Sequence, residues 1–531
     1  MNRIGLVQLS VALASAATPW PIAVDDLPCG YTVNDVPAKL VRGVVPMWLS
    51  GTLYRGQHAK VAFEPQSRFV GLPTGMMSLA FSGDGSPPTI NFGLVHGSKW
   101  RGACDPSSAT GKPYAGNCVV TVNQVGTPPQ IVSVCATPAL VPFDVAPGSP
   151  FRSSDSLVPL PWADASIPNG NPYGAACAPH CPVDLMPEHM PIDANGDVYG
   201  LYFTFAPISG YRLFKIPKGG SQRQQIAHVH SANAKTSYIH MGVSLSPKYI
   251  ILIEAPLEHP VSYNDWSQFQ KNLDVSKPVN VYVLDKHAGS GAVLAQYTVS
   301  GGGFWTWHSV NAWEDCADGS VHVDVTYQKD AASFTAFYQG WENTPTSTFG
   351  PLARITLPDP ATAGLSATAT VALLDMSPFA AVEFPVTQDQ YQWAGKTGHY
   401  WMQGARAPAT TTMFPFTMTA VVKHDVASGV NTYYEEQSGG LYAGEPMFVP
   451  RAEGQGATSD AGAVLAVLIN ATGSLFCAVL DGATMSELAL LELPVAPVPV
   501  FGLHGFHDQA STWTATSANP ACPSGGLRGS C

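Results

Sequence analysis

Short apolar stretches, each bounded by a turn signal, recur along the whole chain. "DVYGLYFTF", "YIILIEAPL", "NVYVLDK", "SVHVDVTY", "TMTAVVKHDV", "AVLAVLIN" and "SLFCAVLD" are of strand length and rich in β-branched and aromatic residues. The turn dipeptides Asn195-Gly196, Asp318-Gly319 and Asp481-Gly482 stand among them. Stretches with sustained three-to-four helical spacing are hard to find, so the pattern predicts an all-β chain. No Pro- or Ser-rich linker divides it and no strict repeat is visible in its letters. Short strands joined by hairpins over 531 residues leave a propeller, stacked sandwiches or a β-helix. A propeller closes on itself and leaves few exposed strand edges, which makes it the expected architecture.

Composition agrees with that picture. Hydrophobic residues make up 45% of the chain and charged residues only 12%, about half the usual charged share. So little charge means few solvated helix faces and a large buried interior. The 50 glycines and 46 prolines are spread along the chain, as turns between many strands require. A formal net charge of −12 argues against nucleic acid as a partner, because phosphate binding needs a basic surface. No apolar run reaches membrane-spanning length, and peripheral membrane contact stays open.

The N-terminus reads differently. "MNRIGLVQLSVALASAATPW" places one Arg3 before an apolar stretch and ends it on the small residues Ala14-Ser15-Ala16. Residues 1–16 are therefore expected to be a signal peptide and 17–34 a lead-in, with one catalytic domain over 35–531. The expected location is secreted or in the lumen of the secretory pathway, with a plastid leader as the alternative. Ten cysteines, an even number, suit disulfides in an oxidising compartment. Asn470-Ala471-Thr472 is a glycosylation sequon. Cys177 and Cys181 flank His180 without a second cysteine pair at zinc-finger spacing, so a disulfide or two thiols is the better reading.

The stretch "FWTWHSVNAWED" holds the candidate chemistry. His308 sits among four aromatics, three residues before Asn311 and six before Glu314. A histidine in such company is ordinarily a satisfied core residue, so a function needs partners from elsewhere. Three more histidines stand in unusual settings: His189 in "PEHMPIDANGDVYG", His240 in "SYIHMGVSLSPKYIILIEAPL" and His504 in "VPVFGLHGFHDQ". The four are separated by 51, 68 and 196 residues. In a seven-bladed propeller with on the order of 70 residues per blade, those gaps are about one, one and three blades. Imidazoles at equivalent places on successive blades point at one axis, where they would make a metal site.

In order along the chain, "GVVPMWLSGTLYRGQ", "HMPIDANGDVY", "YIHMGVSLSPKYIILIEAPL", "FWTWHSVNAWEDCADGSVHVDV", "AAVEFPVTQDQY", "GEPMFVPR" and "PVFGLHGF" resemble the carotenoid cleavage oxygenase family. That family includes carotenoid, apocarotenoid and lignostilbene dioxygenases and the retinoid isomerohydrolase. The resemblance runs from about Val36 to Phe506. It implies a seven-bladed β-propeller with small helical caps, one iron on the axis and an apolar tunnel. The implied iron ligands are His189, His240, His308 and His504, where Leu-His-Gly picks out His504 over His507. Glu383 in "VEFP" and Glu445 in "GEPMFVP" match two glutamates that orient the ligands; glutamates amid such apolar neighbours are expected to be buried with a partner. His58, His228, His230 and His322 read as ordinary surface or core residues.

The chain also departs from the family. The third orienting glutamate has no counterpart in "VSVCATPALVPFD", which offers only Thr137 or Pro138, so His240 is expected to lack a carboxylate. Val70 stands in "RFVGLPTGMM" where an acid belongs, and the stretch after His240 is one residue longer than expected.

The ligand set suits the chemistry. Four neutral imidazoles leave Fe(2+) its full charge and leave up to two of six octahedral positions free. Iron can donate an electron to dioxygen, which zinc cannot do. The resemblance therefore implies an iron(II) dioxygenase that cleaves a carbon–carbon double bond of a carotenoid, apocarotenoid or stilbene-like alkene with O2. A non-oxidative isomerohydrolase, or a propeller that binds a pigment or a protein without turnover, are the alternatives. Phe304, Trp305, Trp307 and Trp313 are either propeller core or the lining of a channel for a flat apolar substrate.

Overall fold

The computed structural model describes residue 27 and residues 31–57, 75–94, 162–167, 186–187, 189–205, 208–259, 272–288, 291–330, 350–387, 397–406, 418–436, 440–451, 459–498 and 504–508. It also describes the backbone of strands at 118–125, 130–135, 139–144, 152–153 and 158–159. Residues 1–16, His58, Val70, Thr137, Pro138 and the stretch from Cys177 to Cys181 lie outside the described residues.

All seven apolar stretches form strands: Val198–Thr204, Tyr249–Glu254, Asn280–Asp285, Val321–Thr326, Ala420–Asp425, Gly462–Asn470 and Leu475–Asp481. Asp318-Gly319 turns the chain between Ser309–Glu314 and Val321–Thr326, and Asp481-Gly482 turns it between Leu475–Asp481 and Glu487–Glu492. The helix Pro360–Ala363 is a single turn, capped by the Asp359 carboxylate on the Ala361 amide. None of the described helices is long and apolar enough to cross a membrane.

The described strands form six sheets, mostly antiparallel meanders in chain order. The largest has eight strands and consists of two four-stranded meanders. Their outer strands, Val293–Val299 and Ala367–Leu373, are paired in parallel. Both ends of the described chain are used to close the array. Lys39–Gly43 adds to the outer edge of the last meander by pairing with Glu487–Glu492, and Gly505–Asp508 adds to the first sheet by pairing with Ser50–Gln57. Gly43 shows how tight the first closure is. It has φ +80°, and a Cβ there would lie 2.1 Å from the Leu488 carbonyl oxygen.

The apolar core is divided into layers between neighbouring sheets. Leu53, Leu79 and Ile90 of the first sheet pack with Leu465, Val467 and Val479 of the last meander. Ile251 and Val283 of one meander pack with Val323 and Ile355 of the other inside the eight-stranded sheet. Each such fully buried side chain contributes about 1.5–3 kcal/mol through removal from water. Strands in the middle of a meander are buried on both faces, as Ile250, Ile251 and Leu252 show, while outer strands such as Lys39–Gly43 are exposed throughout. A strand buried on both faces reads as a continuous apolar run, which is why these segments stood out in the sequence.

The opposite edge of each sheet matters for function. Ser244–Leu245, Ser309–Glu314, Phe379–Thr387, Leu441–Pro450 and Gly505–Asp508 are each an edge strand of a sheet, and successive members of this series touch. His240, His308 and His504 lie just before three of these strands, and Glu383 and Glu445 lie on the other two. Val198–Thr204, which follows His189, is also an edge strand. His189, His308 and His504, separated by 119 and 196 residues in sequence, are thereby brought to one place.

Candidate metal centre

His308 and His504 are fixed by their local backbone. The His308 amide donates to Thr326 Oγ1 at 3.0 Å, and the His308 carbonyl accepts from the Thr326 amide at 2.8 Å. The His504 carbonyl accepts from the Gly56 amide at 3.1 Å. Ring nitrogens of His189, His308 and His504 all lie within 4.8 Å of one another. His240 stands beside this group, its ring centroid 5.5 Å from that of His189 and 5.7 Å from that of His308, but it is not part of the tight set of three.

Two of the rings are held by carboxylates. His308 Nδ1 lies 2.5 Å from Glu383 Oε2, and His504 Nδ1 lies 2.8 Å from Glu445 Oε1. Each glutamate is itself tied down. The Phe384 amide donates to Glu383 Oε2 at 3.0 Å, and Gln328 Nε2 donates to Oε1 at 3.3 Å. The Gly505 amide donates to Glu445 Oε2 at 2.8 Å. Burial pushes the Glu445 carboxyl up to about 7, against the pull of Arg55 and of that amide.

The glutamate at 383 depends on a local distortion. The strand Phe379–Thr387 shifts register between Glu383 and Val386, and Phe384 has φ 52°. In a regular strand successive side chains point to opposite faces. Here both Glu383 and Phe384 reach the histidines, and the Phe384 ring lies 5.1 Å from His308 and 5.2 Å from His504. A left-handed conformation at a non-glycine residue is strained and persists only where its surroundings hold it.

The donor set fits a cation. An ionised carboxylate can only accept, so with Glu383 and Glu445 ionised the Nδ1 atoms of His308 and His504 carry the protons and their Nε2 atoms carry lone pairs. Those two Nε2 atoms lie 3.4 Å apart and cannot bond to each other in that state. His189 Nε2 is buried without a hydrogen-bond partner, a cost that a metal would remove. Burial first, and the neighbouring imidazoles next, hold His189 and His240 well below the ordinary imidazole value. His504 is held down in the same way by burial, by His308 and by Arg55. These rings are therefore neutral and able to ligate. His308 and His504 are buried, whereas His189 and His240 are partly exposed, so the approach to the cluster lies on their side.

Several neighbours were not singled out by the sequence. Arg55 is completely buried and its Nη1 donates to the Glu445 carbonyl at 2.6 Å, so a cation underlies the carboxylate–histidine pair. A charge in the otherwise apolar "TLYRG" was the available signal. Tyr238 presents its hydroxyl to His240 Nδ1 at 3.2 Å. Trp307 touches the His240 ring edge-on at 5.0 Å, and Trp305 stacks on Tyr238. Phe304 packs against Tyr327, and Trp313 packs against His322 under Arg354, both as core.

The two polar residues that follow His308 serve the fold. Asn311 joins Tyr400, whose hydroxyl donates to Asp324 at 2.7 Å, and Asp324 takes both arms of Arg354. Glu314 accepts from Ser246 Oγ and from the Lys248 amide, linking two meanders. Of the other described histidines, His228 meets Thr204, His322 meets Ser320 and Thr356, and His230 is exposed. His507 is buried, which pushes its pKa down to about 3.

The sequence matches the family described as "Retinal pigment epithelial membrane protein" over residues 168–509, more than half of the chain. The torulene dioxygenase of Fusarium fujikuroi is 25% identical over 353 residues, covering 59% of this chain and 57% of that protein. Carotenoid cleavage dioxygenase 8 of Arabidopsis thaliana, a chloroplast protein, is 24% identical over 356 residues, covering 61% and 56%. The chain thus spans somewhat more than half the length of these curated relatives. A solved structure of the Synechocystis apocarotenoid oxygenase, a tryptophan-to-alanine variant, superposes with TM-score 0.65 at 17% identity, over 93% of this chain and 99% of that one. The folds are therefore shared, and the array of sheets is propeller-like. The chain belongs to the carotenoid cleavage oxygenase family.

Proposed function

We propose that this chain is a non-haem iron(II) dioxygenase that cleaves a carbon–carbon double bond of a carotenoid, apocarotenoid or related conjugated alkene. The observation that carries the reading is the pair of Nε2 lone pairs facing each other at 3.4 Å, each ring clasped by its own buried glutamate. His189, His240, His308 and His504 would hold the metal, and Glu383 and Glu445 would orient His308 and His504 and make them better donors. Iron(II), when bound, would supply the electrons that let dioxygen react with an alkene. Phe384 covers the His308–His504 side and keeps water from it, which leaves the His189–His240 side, with Trp307, for a flat apolar substrate. The overall change balances without a reductant: the double bond is broken, and each carbon takes one oxygen atom of O2. The relatives named above favour neither an isomerohydrolase nor a binding protein without turnover.

Counting the eight-stranded sheet as two blades turns six sheets into seven blades, with the metal on their common axis. Residues 35–531 then form one catalytic domain behind a leader of about 16 residues, in a secreted or lumenal protein. The partners in this reading are O2 and an apolar polyene or stilbene-like molecule, with peripheral membrane contact at the delivery step. Cys477 is a buried free thiol, so the even number of cysteines does not mean that all ten pair. A mature N-terminus near Ala17 is expected; an intact Met1 on protein from its native source would overturn the leader.

Metal analysis tests the centre. Chain purified without oxygen should carry one iron per molecule, and His230→Ala, on an exposed position, should carry the same. Wild-type chain that takes up no iron would contradict the reading.

A further inference from the structure

The three supported histidines do not have the same support. His308 and His504 each give Nδ1 to a carboxylate, whereas His240 has Nδ1 3.2 Å from the hydroxyl of Tyr238, two residues away. We propose that Tyr238 is the positioning residue of His240 and, as a neutral partner, makes His240 the most weakly donating of these three supported ligands. This rests on the metal-centre reading above.

The phenol has a fixed address. Its ring stacks on Trp305 with centroids 5.7 Å apart and planes at 20°, and on Phe203 at 6.0 Å and 28°. The His259 ring meets it edge-on at 5.6 Å. Trp305 is anchored in turn by two backbone hydrogen bonds with Gln328, the residue whose side chain supports Glu383. The bracket around Tyr238 and the support of His308 therefore share one strand-to-strand contact.

The chemistry follows from what each partner can do. An ionised carboxylate only accepts, so it forces the proton onto Nδ1 and leaves Nε2 to ligate. A phenol can accept or donate. As an acceptor it holds His240 in the ligating tautomer, but a hydrogen bond to a neutral oxygen is about half as strong as one to a charged oxygen. As a donor it places the proton on Nε2, where the ring cannot bind a metal. His240 is thus the one of the three supported rings for which ligation is a choice between tautomers. Its place outside the tight set of three agrees with that role.

Cobalt(II) is the probe, because its visible spectrum reports ligand number and geometry. Tyr238→Phe keeps the ring and its stacking and removes only the hydroxyl. It should bind cobalt about 10-fold more weakly than wild type, at the lower end of the range for losing such a partner, and with an altered visible spectrum. Tyr434→Phe, which removes a hydroxyl bonded to Glu487 far from the centre, should change neither. A merely structural role for Tyr238 would lower thermal stability and leave the cobalt spectrum as in wild type, and that outcome would overturn the proposal. Wild-type chain that binds no cobalt would instead overturn the metal centre itself, and the proposal with it.

Discussion

His308→Ala and His504→Ala will each abolish stoichiometric iron binding, and with it turnover. Either change removes a lone pair from the facing Nε2 pair and also strands a buried carboxylate. In His308→Ala, Glu383 keeps only the Phe384 amide and the Gln328 side chain, inside a site where it is 1% exposed. In His504→Ala, Glu445 keeps the Gly505 amide, with the Arg55 guanidinium nearby. An unpaired buried charge shifts its pKa and neutralises, so the charge that balances the cation is lost along with the ligand. The loss in affinity should exceed the roughly 10–100-fold that follows removal of an orienting partner. Iron analysis of the purified variants checks this, and full occupancy in both would show that the metal lies elsewhere.

The next largest effect is expected at the orienting carboxylate. Glu383→Gln keeps the shape and loses the charge. The amide can still accept from His308 Nδ1, but only by turning its NH2 group toward the Gln328 Nε2 donor, so one of the two contacts fails. Metal affinity or turnover should fall about 10–100-fold, with the unfolding temperature of the metal-free protein little changed. Equal affinity and turnover in Glu383→Gln would show that the carboxylate does not tune the ligand.

The strands were legible because a segment buried on both faces must be apolar along its whole length, and hairpins need their Asn-Gly and Asp-Gly turns. The candidate ligands were legible through their motifs, and Glu383 and Glu445 because a glutamate in "VEFP" or "GEPMFVP" has nowhere polar to go. What letters do not carry is which edges meet. Asn311 and Glu314, the polar residues close to His308 in sequence, serve other contacts: Asn311 joins Tyr400, and Glu314 accepts from Ser246 and Lys248. The register shift at Phe384 and the burial of Arg55 beneath Glu445 are likewise consequences of packing between distant segments. The expectation that His240 lacks a carboxylate agrees with its contact to Tyr238, and the phenol itself was in plain sight in "SYIH" without being weighed.

The central claim is oxygen insertion across a double bond at this centre, and isotope-traced product analysis tests it most directly. The iron-loaded chain would be given a panel of carotenoids, apocarotenoids and stilbenes under 18O2, and fragments would be weighed before their carbonyls exchange with water. A pair of carbonyl fragments from one substrate is expected, each carrying one 18O atom. Intact substrates throughout, or fragments formed equally well without O2 and free of label, would contradict that claim.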